Sequence, residues 1–167
     1  MKSQYRLPIF VLVGALLMNS NLVMANSDIS CKKLNVELRQ DQAKGKVILV
    51  YINQSDTSIA IPKWYLGHPD NGKIEHDMLF VKNRNGKKMP YFGDLVKRGE
   101  PRSEDLIELK AHETINSVVD IVTSYARSSG IYYVSYDAYA QFDLLVNDKN
   151  KIGCFQKLTS QEVRVAL

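Results

Sequence analysis

Apolar residues on alternate positions, in short runs closed by turn-forming residues, recur from Leu34 to Val165 and leave little choice of fold. A two-residue period puts one face of a strand in a core and the other in water. "KLNVELRQ" alternates at Leu34, Val36 and Leu38. "KVILVYIN" is a β-rich run from Val47 to Ile52, closed by the turn cluster "NQSDTS". "IAIP" is a short strand stopped by Pro62. "MLFVK" leads into "NRNGKK", whose Asn-Gly is a hairpin signal. "LIELK" and "INSVVDIV" follow, the latter with apolar residues at Ile115, Val118, Val119 and Ile121. "GIYYVSYDAYA" sets Ile131, Tyr133 and Ser135 on one face and Tyr132, Val134 and Tyr136 on the other, and "QEVRVAL" alternates at Val163 and Val165. Helical periodicity is confined to a capping-like Ser103 in "SEDLIELK" and one expected turn in "SYARSSG", ended by Gly130. About eight short strands at roughly ten-residue spacing predict an all-β, immunoglobulin-like antiparallel β-sandwich of seven to eight strands. "YLGHPDNGKIEHD" reads as a long polar surface loop between strands.

Two cysteines, Cys31 and Cys154, bracket these runs. The N-terminus carries Lys2 and Arg6, an apolar run from Ile9 to Met18 too short to span a bilayer, and small residues before a cleavage point after Ala25. This predicts a cleaved secretory signal peptide over 1–25 and a single domain over 26–167, periplasmic or extracellular, with no stable membrane insertion after cleavage. In an oxidising compartment the two cysteines are expected to pair. Lipidation of Cys31 fits poorly, because Asp28 stands where a lipoprotein signal needs an apolar residue. Losing Lys2 and Arg6 takes the formal net charge from +4 to +2, since the signal has no acidic residue. A chain so near neutrality has no electrostatic footprint for nucleic acid.

Motifs for catalysis are missing. "AHETINS" begins like the zinc signature H-E-x-x-H, but the second histidine's position is Asn116, and the residues that follow alternate as a strand, so His112 and Glu113 read as the turn entering it. His68, Asp70, His76 and Asp77 place four potential ligands in "GHPDNGKIEHD"; a solvated loop is the simpler reading, and neither metal nor cofactor is assigned. No G-x-S-x-G elbow, phosphate loop or dinucleotide fingerprint occurs, and the chain is read as a non-enzyme. "NQS" at Asn53 fits a glycosylation sequon and, more simply, a turn cap.

Aromatic and basic residues gather in two stretches. "IPKWYLG" holds the single Trp, Trp64, here read as core packing. "YFGDLVKRGEPRSEDL" joins Tyr91 and Phe92 to Lys97, Arg98, Glu100 and Arg102, the candidate partner-binding residues. Tyr, Trp and Arg dominate interface hot spots. For Lys97 and Arg98 a solvated turn and a partner contact stand level, and an exposed Lys-Arg pair is also a candidate site of proteolytic cleavage.

The segments "VYINQSDTSIAIPKW", "YFGDLVKRGEPRSEDLIELKAHETI" and "GIYYVSYDA" resemble the non-catalytic N-terminal β-sandwich domain of zinc endopeptidases of the deuterolysin and peptidyl-Lys metalloendopeptidase type. The matching positions are Tyr91, Gly93, Val96, Lys97, Arg98, Pro101, Asp105, Leu109, Glu113, Gly130, Tyr132, Val134 and Tyr136, about two thirds of the span after the signal. In that family a catalytic domain with H-E-x-x-H and a downstream Asp ligand follows, and neither occurs in these residues. The resemblance implies a module that packs on or restrains a protease: an exported binding protein, such as a propeptide-like inhibitor or chaperone of a secreted peptidase. The alternatives are a periplasmic immunity protein, a cell-surface adhesion or assembly protein, and a small metal-binding protein.

Overall fold

The computed structural model describes residues 31–125, 128–147 and 150–167. The expected signal peptide over 1–25 lies outside these residues. Among the described residues nine strands, all paired antiparallel, run as β1 (Leu34–Gln40), β2 (Lys46–Asn53), β3 (Ser58–Pro62), β4 (Leu79–Asn83), β5 (Leu106–Leu109), β6 (Thr114–Asp120), β7 (Ile131–Asn147), β8 (Asn150–Thr159) and β9 (Val163–Ala166). The architecture is the expected immunoglobulin-like, two-sheet antiparallel sandwich, with nine strands against the seven to eight read from the sequence. One sheet runs β1-β2-β6; the other is organised around β7.

β7 is long enough to serve four neighbours. Its first residues pair with β9 and β4, from Ile131↔Ala166 and Tyr132↔Asn83 onward. Its second half pairs with β8 and β3, through Asp137↔Thr159 and Ile59↔Leu144. β8 and β9 follow one another along one flank, and β5 adds to β3. The faces are as the alternation predicts: Tyr132, Val134 and Tyr136 are buried, as are Ala140, Phe142 and Leu144 further along. They meet Leu34, Val36, Leu38, Val47, Leu49, Tyr51 and Val119 of the other sheet in one apolar core.

Three local readings change. The strand in "INSVVDIV" stops at Asp120, whose carboxylate accepts from the Val122 N–H at 2.8 Å and caps a single helical turn, α1 (Ile121–Ser124). The helical turn expected in "SYARSSG" therefore starts earlier and ends where that stretch begins. β8 is a strand the sequence reading left out, and β7 continues beyond Ala140. "YLGHPDNGKIEHD" is only partly a surface loop. Ile74 and Met78 are core residues, Gly67 donates to Ser117 Oγ at 2.8 Å, and the Asp120 N–H donates to the Gly72 carbonyl at 2.9 Å. A Cβ on Gly67 would lie 2.3 Å from the Val118 carbonyl oxygen, so only glycine lets the segment lie this close to β6.

Asn53 joins two turns. It is 0% exposed, and its Nδ2 faces the carbonyls of Thr57, Leu109 and Lys110 at 2.8, 3.1 and 2.8 Å. Its Oδ1 accepts from the Ser55 N–H and hydroxyl. The turn-capping reading of "NQS" holds, and the amide is too committed to carry a glycan in the folded chain. His112 and Glu113 do form the turn into β6: the Glu113 carboxylate accepts from the Lys110 N–H, and His112 sits at φ 60°. The Asn85-Gly86 turn likewise folds back, bridging Lys82 to Lys88.

Cys31 and Cys154 are bonded, with Cα atoms 5.5 Å apart and a sequence separation of 123. Beside this bond, Gln156 Nε2 on β8 donates to the Leu34 carbonyl, so β1 and β8 are joined at one end of the sandwich. In the chain-entropy treatment, a closure of this length stabilises by about 4–5 kcal/mol. The Cys31→Ser/Cys154→Ser double variant is expected to lose about that much; urea unfolding of the two proteins measures it, and equal midpoints would refute it. Asn53→Ala removes a donor from three carbonyls and the acceptor of the Ser55 N–H, while the Thr57 and Lys110 carbonyls keep the Ser55 hydroxyl and the Glu113 N–H, and a loss on the order of 2 kcal/mol is expected in the same assay.

Candidate functional site

Two segments without regular strand structure lie side by side on one part of the surface. The first runs from the 3-10 turn η1 (Lys63–Tyr65) to Met78; the second, residues 90–105, joins β4 to β5 and closes with the 3-10 turn η2 (Ser103–Asp105). Both are held firmly. Tyr91 leans its ring on the buried Tyr125, centroids 5.2 Å apart, and its hydroxyl faces the Ile74 and Asp94 carbonyls at 2.8 and 2.9 Å. Burial, with Asp94 and Asp77 nearby, pushes the Tyr91 phenol up to about 12, so it stays a neutral donor. Gly93 gives that ring its space: a Cβ there would lie 2.4 Å from the Tyr91 hydroxyl. Below, Tyr125 donates to the Asp77 carboxylate at 2.7 Å and accepts from the Leu79 N–H at 3.0 Å; burial raises its pKa strongly.

The two segments are then cross-linked. The Val96 N–H donates to the Glu75 carbonyl at 3.2 Å, Lys73 pairs with Asp94 at 3.0 Å, and Arg98 pairs with Glu75. The Arg98 guanidinium also lies 5.0 Å over the Trp64 ring. These surface pairs are individually weak, about 0–1 kcal/mol, but together they fix one loop on the other. Between them is a cleft of about 460 Å³ walled by Trp64, Leu66, Pro69, Ile107, Glu75 and Arg98. On the far side of Arg98 a second concavity of about 290 Å³ includes Trp64, Val96, Lys97, Glu100 and Arg102.

Trp64 is thus not core packing, as read from the sequence. It follows Pro62, the last residue of β3, where the alternation has ended, and it is half-buried between the two hollows. Of the candidate partner-binding residues, Tyr91 supports the loop from beneath. Phe92 is 44% exposed, while its N–H donates to the Ser124 carbonyl. Lys97, Glu100 and Arg102 are exposed, and Arg98 is clamped to Glu75. Beside them stand two residues the sequence reading did not single out as contacts, Leu95 at 75% and Val96 at 45% exposed. The signal for both was there: an apolar pair in a stretch with no strand alternation.

His68, Asp70, His76 and Asp77 do not converge. His68 and Asp70 approach at 3.8 Å on the exposed side, while His76 packs edge-on to the Tyr65 ring and Asp77 is engaged by Tyr125. Among the described residues, no three His, Cys, Asp or Glu side chains are grouped so as to hold a metal ion. Among the same residues no helix is long and apolar enough to cross a membrane.

No family model matches this sequence, and no curated protein matches it significantly. A solved structure described as the X-ray structure of Northeast Structural Genomics Consortium target SoR45 is similar at a TM-score of 0.35 and 10% identity, covering 80% of this chain and 83% of that one. A likeness of that degree carries no argument about activity.

His76 gives the two-loop face a pH dependence. Burial lowers its pKa, opposed by the charge of Asp77, and its Nε2 is buried with no hydrogen-bond partner among the described residues. The fold therefore favours the neutral ring. Its contribution is complete above the unfolded value of about 6.5 and declines as pH falls through that value towards the folded one, by at most about 1.4 kcal/mol per pH unit. His76→Phe keeps the ring against Tyr65 and removes the titration. Its stability is expected to fall less between pH 7.5 and pH 5 than the parent's, read from urea midpoints; parallel slopes would count against this assignment.

Proposed function

We propose that this chain is an exported, non-catalytic protein-binding module, and that it meets its partner through the face built by residues 63–78 and 90–105. The observation that carries this reading is an exposed apolar strip, Phe92, Leu95, Val96 and the edge of Trp64, on loops whose charged residues are largely neutralised within the face. Lys73, Arg98 and Lys63 are taken up by Asp94, Glu75 and the Glu104 carbonyl. A face whose cations other than Lys97 are engaged, and which exposes aliphatic and aromatic side chains, suits contact with another protein better than capture of a small anion. Because the loops are already fixed to each other, little conformational freedom is lost on association.

Export is supported by the N-terminal leader pattern together with a disulfide that closes most of the domain. A secreted or periplasmic peptidase is the partner to test first, because the residues from Tyr91 to Asp105 that resemble a protease accessory domain lie in this face. Leu95→Asp puts a charge in the strip at an exposed position and leaves the fold intact. Immobilised parent protein is expected to retain a partner from the exported fraction of its own cells that the Leu95→Asp variant releases. The purified pair should then differ by at least about tenfold in Kd between the two variants. Equal retention by both, or by neither, would overturn the assignment of this face. A partner that is not a peptidase would move the reading to an immunity or assembly role.

A further inference from the structure

Between the two hollows, Asp94 to Gly99 runs without a turn or a bend, in a loop that is otherwise irregular. All six residues are exposed, and alternate ones are also held by their neighbours. Asp94 is held by Lys73 and Tyr91, the Val96 N–H by Glu75, and the Arg98 side chain by Glu75 and Trp64. Leu95, at 75% exposure, and Lys97 occupy the positions between these, and among the described residues Lys97 makes no hydrogen bond or ion pair. A Cβ on Gly99, the next residue out, would meet nothing within 4 Å, so no other part of the fold crowds that side.

An exposed segment with no turn or bend, pinned at alternate residues and leaving a basic side chain between them unengaged, can be offered to an endopeptidase, which takes its substrates extended, paired by backbone to an enzyme strand, with one side chain in a specificity pocket. We infer that Asp94–Arg98 is a substrate-like segment for an endopeptidase whose specificity pocket accepts a basic side chain, with Lys97 as the inserted residue. This rests on the reading of the face as a protein-binding one and names the class of partner. Lys97 is the basic residue free to enter such a pocket; Arg98 is held back by Glu75 and Trp64.

The same anchoring makes the segment a poor substrate. Hydrolysis of the Lys97–Arg98 bond consumes one water and leaves a carboxylate on Lys97 and an amine on Arg98. Asp94 remains tied to Lys73, and Arg98 to Glu75, so the new ends stay opposed instead of diffusing apart. The segment then occupies the enzyme longer than a free peptide does, which is inhibition.

The test uses the full chain, purified as the cell exports it and with its disulfide intact, against trypsin, whose pocket is acidic, and chymotrypsin, whose pocket is apolar. Competitive inhibition of trypsin alone is expected, with a slow single cut after Lys97 seen by intact mass. Lys97→Ala is expected to weaken inhibition at least about 100-fold. Arg98→Ala is expected to bind and then be cut through rapidly. Inhibition unchanged by Lys97→Ala, or none at about 100 μM protein, would overturn the proposal. If the Leu95-dependent partner of the preceding section is nevertheless recovered, the binding face stands and only the peptidase-directed role of Lys97 falls; if it is not, both fall.

Discussion

Backbone N–H and C=O groups inside a sandwich must find one another, and here one strand meets most of that demand. β7 supplies hydrogen-bonding groups to four strands, two on each flank, and carries six buried side chains from Tyr132 to Leu144 along one face. β3 and β4 belong to the same sheet only because both pair with β7, at positions separated by the length of a short strand. The sixteen residues between β3 and β4 therefore have to leave the sheet and return to it. That excursion, residues 63–78, is one wall of the candidate binding face, so the face exists because of how β7 is shared.

The second wall shows how a loop is made rigid without regular structure. Residues 90–105 contribute no strand, yet nearly every other residue between Tyr91 and Arg98 is tied to the layer beneath by a hydroxyl, an N–H, a carboxylate or a guanidinium. Tyr91 is central to this. Its ring rests on Tyr125, which is itself fixed to Asp77 and to the Leu79 N–H, so the polar loop is referenced to the apolar core through two phenol rings in tilted contact. Leu95 and Val96 are left exposed beside these ties.

Much of the sandwich was legible from alternation alone. β1 and the first half of β7 bury Leu34, Val36, Leu38, Tyr132, Val134 and Tyr136 on one face, as the alternation implied, whereas β2 is a continuous apolar run with Val47, Leu49, Val50 and Tyr51 all buried. β8 was missed although Ile152, Cys154, Gln156 and Leu158 alternate, because Lys151, Gly153 and Lys157 dilute the signal; in the fold those lysines pair with Asp143 and Asp137 across the hairpin. The candidate face was legible only as a composition. The loop from Tyr91 to Arg102 stood out by its aromatic and basic residues, but the pairings Arg98–Glu75 and Lys73–Asp94 join positions more than twenty residues apart in loops that have no period. Nothing in a local pattern sets two such loops in register. Trp64 was misjudged for a related reason: hydrophobicity argues for burial, whereas its place just beyond the last β3 residue leaves it at the rim.

The sharing of β7 also has a bearing on the order of assembly. The β1-β2-β6 sheet is complete in sequence by Asp120, and β3 can find β5 by Leu109. β4 has no partner until Ile131–Tyr136 has been made, and the β3–β5 pair has nothing to join until Asp143–Leu145 arrives. A chain emerging from its N-terminus thus carries open strand edges through most of its length, and its longest-range link, Cys31 to Cys154, can close only near the end. Folding of this domain is a late, nearly all-at-once event, and a chain stopped before β7 is an aggregation-prone fragment instead of a smaller sandwich.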